Sequence, residues 1–99
     1  MTELRLKLFV AGNSSRAREA AANLARACGT LGAAAVLVET VDVLEQPDVA
    51  EEYRILTTPT VVRDAPAPRR RVTGDLGDAA QVLAALALFP PPPSPTTDS

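Results

Sequence analysis

The stretch from Asp42 to Thr60, DVLEQPDVAEEYRILTTPT, constrains this chain more than any other. A run rich in β-branched residues, Ala34 to Val43, ends inside it and reads as a buried strand. Pro47 then suits the first turn of a helix, where a missing N–H loses no partner. Asp48 and Glu51 add a pair resembling a capping box, so the sequence predicts a short helix from Pro47 to near Leu56. The segment closes on Thr58-Pro59-Thr60, a turn proline set directly before the next strand.

The flanking sequence supplies elements to pack against these. Leu4, Leu6, Leu8 and Val10 alternate with Arg5, Lys7 and Phe9, which is strand periodicity. Gly12-Asn13-Ser14-Ser15 breaks that strand and offers hydroxyl caps. From there to about Ala27 a helical face forms from Ala17, Ala20, Ala21, Leu24, Ala27 and Cys28, with Arg16, Arg18, Glu19 and Arg26 mostly off it. Gly29 and Gly32 end the helix. Thr60–Arg63 and Arg70–Thr73 read as strands joined by DAPAPR. Gly74 is a breaker, and Asp78 with Gln81 opens a last helix through Val82, Leu83, Leu86 and Phe89.

The predicted order is βαβαββα. A right-handed crossover through the first helix makes the first two strands parallel, and the last two form a hairpin. Helices then cover both faces of a four-stranded mixed sheet. This is the build of thioredoxin-like domains, in which Pro59 holds the position of a structural cis proline. The domain runs over residues 1–89. Residues 90–99, PPPPSPTTDS, are expected to be an extended, solvated tail.

Composition narrows the function. At 99 residues the chain has room for one small domain. The formal net charge of −2 argues against a general nucleic-acid footprint. No apolar run approaches the roughly 20 residues that span a bilayer, and the start does not read as a signal peptide. A single cysteine, Cys28, excludes an intrachain disulfide and fits a reducing compartment. The expected setting is the cytoplasm. The chain has no Cys-x-x-Cys and no histidine. No catalytic residue, metal site or cofactor is implied, and Cys28 reads as a small core-facing residue. A redox scaffold without its chemistry suggests a protein that works by binding another protein.

KLFVAGN at 7–13, VDVLEQP at 41–47, AEEYRILTTPT at 50–60 and RRVTGDL at 70–76 resemble the KaiB family of circadian clock proteins. The similarity extends, less closely, to the KaiB-like sensor domain of the clock kinase SasA. The resemblance implies a non-enzymatic regulator that binds the hexameric ATPase KaiC and can then capture KaiA. It also implies a metamorphic chain, with one thioredoxin-like form and an alternative βαββααβ form that assembles into tetramers. The docking helix of the family corresponds to Pro47, Asp48, Val49, Ala50, Glu51 and Arg54, with Arg54 matching a family lysine.

Departures from the better-known pattern bear on the switch. The family's Gly and Asp in LxGLDLL are matched here by Ala85 and Ala87. Both changes favour helix over strand, together by about 1.5 kcal/mol, roughly tenfold in population. The family's terminal tyrosines are replaced around Leu4 and Pro90. A thioredoxin-like monomer or weak dimer is therefore expected rather than a tetramer. Glu39 replaces a family lysine on the second strand, which sets KaiA capture in doubt.

Each site has a plain structural reading beside the functional one. Asp48 reads as a helix cap and Glu51 and Glu52 as solvated carboxylates. Arg69, Arg70 and Arg71 read as a solvated hairpin edge that discourages strand pairing, or as a contact for an acidic partner. Two other functions fit the same scaffold: a thioredoxin-like redox protein, and a sensor-like domain that binds a histidine kinase.

Overall fold

The computed structural model describes residues 4–29, 36–74 and 76–86. Within them lie β1 (Leu4–Val10), α1 (Ser15–Gly29), β2 (Val36–Asp42), α2 (Pro47–Glu52), β3 (Thr60–Ala65), β4 (Arg70–Thr73) and α3 (Ala79–Ala85). The strands lie in the order β2-β1-β3-β4. β1 and β2 run parallel, from Leu4 opposite Val36 to Val10 opposite Asp42. β3 is antiparallel to β1, and β4 to β3. The element order and the mixed sheet are those the sequence predicts, but β2 is an exposed edge strand rather than a buried one: of its apolar side chains Val41 is buried, while Leu37 and Val38 are exposed.

Alternation in β1 sorts the two faces of the sheet. Leu6, Leu8 and Val10 are buried with Ala20, Leu24 and Ala27 of α1 and with Val82 and Leu83 of α3. Phe9 points the other way, into a smaller cluster with Val41, Tyr53 and Val62. α1 and α3 thus cover one face and α2 the other. At six residues α2 is too short to hold as an isolated helix, and tertiary packing sustains it. Ala50 is buried beneath it, and Val49 packs on the Phe9 cluster.

Local signals set most boundaries. Ser14 Oγ accepts the Ala17 N–H at 3.1 Å and caps α1. Asp78 Oδ1 accepts the Gln81 N–H at 3.1 Å and caps α3. Asp48 does not cap α2. Pro47 takes the first helical position, so the cap falls on Gln46, whose side chain makes no capping bond. Asp48 lies within the first turn instead, where a carboxylate still suits the helix dipole. α2 also stops at Glu52, short of Leu56, because Arg54 turns to a positive φ of 54°. Ala85 is the last residue of α3. Ala87, Phe89 and the tail 90–99 lie outside the described residues.

Candidate docking face around α2

The face is built from the end of β2 onward. Asp42 Oδ1 accepts the N–H groups of Gly12 and Leu44, each at 2.9 Å. The Val43 N–H donates to Val10 O at 2.8 Å. These bonds tie the turn before α2 to the end of β1. Gly12 makes its part possible with a φ of 72°, a conformation that glycine adopts without strain.

The exit from α2 is a tight helix ending. The Ile55 N–H donates to Ala50 O at 2.9 Å and the Arg54 N–H to Glu51 O at 3.0 Å. This is the Schellman pattern, which usually places glycine where Arg54 stands. Across the face, Arg71 of β4 turns its guanidinium to the same end. Its Nη1 donates to Arg54 O at 3.0 Å, and its Nη2 donates to Tyr53 O.

Between entry and exit lies a groove of about 510 Å³, lined by Val43, Pro47, Ala50, Glu51, Arg54, Ile55 and Leu56. Leu56 is 96% exposed, and Leu44, in the turn leading into α2, is 71% exposed. The residues expected to meet a partner divide accordingly. Pro47, Asp48, Glu51 and Arg54 face solvent, Ala50 is buried at the groove, and Val49 is half-buried against the sheet. Sequence reasoning did not single out Leu44, Leu56, Tyr53 or the contacts of Arg71. A signal for Leu56 was present: of the adjacent pair Ile55-Leu56, only one can turn inward, and Ile55 does. The contacts of Arg71 are with backbone carbonyls and have no sequence signature.

Two of the hairpin arginines, Arg69 and Arg71, are exposed but also engaged. Arg69 lies over the Tyr53 ring, 4.4 Å from its centroid, and its Nε donates to Asp64 Oδ1 at 2.9 Å. Arg70 is exposed. On the far edge, Glu39 stands opposite Lys7 in the parallel register and forms an ion pair with it. That hydrogen bond is the main reason the Lys7 pKa is raised.

The chain carries one cysteine and no Cys-x-x-Cys. The Thr58–Pro59 bond is cis, as are Ala65–Pro66 and Ala67–Pro68. Beside Pro59 lies a cavity of about 220 Å³ lined by Val10, Ala11, Ser14, Arg16, Ala17 and Thr58. Cys28 is half-buried near the other end of α1, and burial pushes its thiol pKa up. A thiol activated as a nucleophile shows the opposite shift. Among the described residues no group of His, Cys, Asp and Glu is placed to hold a metal ion, and no helix is long and apolar enough to cross a membrane.

The KaiB domain model matches residues 7–88. This chain belongs to the KaiB family. The circadian clock protein KaiB3 of Synechocystis sp. is 40% identical over 90 residues, covering 91% of this chain and 88% of that relative. A circadian clock oscillator protein KaiB of Synechococcus sp. is 42% identical over 84 residues, covering 85% of this chain and 76% of that relative. Among solved structures, the N-terminal domain of Synechococcus elongatus SasA aligns with a TM-score of 0.72 at 25% identity, covering 90% of this chain and 88% of the domain. Mitochondrial thioredoxin 3 of Saccharomyces cerevisiae aligns with a TM-score of 0.67 at 17% identity, over 87% of this chain and 78% of its own, which bears on the fold alone. The KaiB-family chain described here is therefore thioredoxin-like, and the KaiB match spans the whole α2 face.

Proposed function

We propose that this chain is a non-enzymatic KaiB-type regulator that docks its α2 face on the KaiC ATPase while in its thioredoxin-like form. The observation that carries this reading is the groove beside α2, apolar within and rimmed by charge. Leu56 offers an uncovered apolar side chain whose burial is worth about 1.5–3 kcal/mol. Arg54 offers a planar fork suited to a partner carboxylate. Asp48 and Glu51 suit basic groups, and Pro47 fixes the start of the helix. Val49 and Ala50 act from beneath, by holding the helix to the sheet.

Two observations favour binding over redox chemistry. The chain has no Cys-x-x-Cys, and its one cysteine has a raised pKa. The setting we propose is the cytoplasm, in a circadian or clock-like stress system, with the chain a monomer or weak dimer. Glu39, already paired with Lys7, gives the β2 edge a charge opposite to the family lysine, so KaiA capture there is weak.

Size-exclusion chromatography with purified KaiC, in ATP and in ADP, tests the reading. Co-elution with the KaiC hexamer is expected. Co-elution with a histidine kinase and not KaiC points to the sensor-like function instead. Disulfide-reductase turnover that Cys28→Ala abolishes overturns the non-enzymatic reading.

A further inference from the structure

We propose that Arg71 is a positioning residue for the docking face. Its guanidinium latches the end of α2 to β4 and holds Arg54 in the left-handed conformation that presents its side chain. The geometry stands by itself, while the consequence for binding rests on the docking reading above.

The last carbonyls of a helix have no partner within the helix. Just past α2, the carbonyls of the C-cap Tyr53 and of the next residue, Arg54, are both taken by the one Arg71 fork. Such bonds are charge-assisted, and a cation at a helix C-terminus is favoured by the dipole as well. Arg71 is itself fixed, since it pairs with Val62 in the β3–β4 ladder. The latch thus joins a six-residue helix to a strand on the far side of β3.

The need for a latch lies at residue 54. A φ of 54° is disfavoured for any residue that carries a β-carbon. Glycine would relax there but would offer the partner no side chain. Arginine keeps the side chain, and its backbone then needs an external hold. Released from Arg71, Arg54 returns to negative φ and the bond from Ile55 to Ala50 opens. Leu56, the next residue along, moves with them and the rim of the groove is lost.

Amide exchange and scalar couplings by NMR on the full chain, with variants Arg71→Met and Arg71→Lys, test the latch. In Arg71→Met the Ile55 amide is expected to exchange at least about tenfold faster, the worth of one charge-assisted hydrogen bond. Amides in the β1–β3 ladder keep their wild-type rates, and the Arg54 couplings lose their left-handed signature. Affinity for the KaiC hexamer falls about tenfold by the same loss. Arg71→Lys recovers part of each effect, because an ammonium donates without the fork. In an Arg54→Gly background, Arg71→Met changes Ile55 exchange less, since the glycine is not strained. Unchanged Ile55 protection in Arg71→Met overturns the proposal. So does an equal loss of protection along the whole chain, which marks Arg71 as an ordinary stabilising residue. The exchange data need no KaiC. If wild-type protein fails to bind KaiC, the docking reading falls and the latch is still decided.

Discussion

Glu39 of β2 sits opposite Lys7 of β1, and the two side chains form an ion pair across the parallel ladder. The Glu39 side chain is 63% exposed, so the pair contributes little by itself. Reversing one charge does more, because two ammonium groups then face each other. Glu39→Lys is expected to lower stability by about 0.5–1 kcal/mol in urea titration. Adding Lys7→Glu restores the attraction and most of the loss. A double variant no more stable than Glu39→Lys contradicts the pairing.

High pH is expected to destabilise the fold. The Cys28 thiol is raised by burial, the Tyr53 phenol by burial and then by its hydrogen bond to Asp64, and Lys7 mainly by its bond to Glu39. In each case the folded chain holds the proton more tightly than the unfolded chain. Stability is then fully present below the unfolded pKa and is lost as pH rises through the folded one. Tm should hold below the ordinary thiol value of 9.0 and fall above it. Cys28→Ala removes the first part of the fall, and Tyr53→Phe removes a later part. A Tm that stays level through these values contradicts the assignment.

Punctuation made the element order legible. Pro47, Pro59, Gly74 and Asp78 each act through a local rule of backbone geometry or capping, and each stands where the rule puts it. The capping-box spacing of Asp48 and Glu51 points to Asp48 as the α2 cap, but Pro47 fixes the first helical position and moves the cap to Gln46. Ile55-Leu56 continues the apolar pattern past the true end of α2 at Glu52. Only the left-handed turn at Arg54 stops it, and arginine carries no signal for that conformation. Strand alternation puts Arg69 and Arg71, two residues apart, on one face. What they do there was hidden, because the Tyr53 ring and the Tyr53 and Arg54 carbonyls reach them only through tertiary packing.

The balance between forms is proposed to rest on the last helix. Ala85→Gly removes the best helix former from the last residue of α3, and together with Ala87→Asp it is expected to shift the population toward the alternative form. NMR secondary shifts for 79–86 are expected to lose helical character in the double variant, and a larger species should appear on size-exclusion chromatography. A double variant that stays helical and elutes as the wild type shows that these two alanines do not set the balance.

The affinity of Leu56→Asp for KaiC tests the docking face most directly. Leu56 is 96% exposed, so the substitution leaves stability within about 0.5 kcal/mol. On immobilised KaiC hexamer, wild type is expected to bind, and Leu56→Asp to bind at least about tenfold more weakly, as for an interface anchor. Glu39→Lys, on the β2 edge, keeps wild-type affinity in the same experiment. Leu56→Asp binding as tightly as wild type, or wild type not binding at all, contradicts the account.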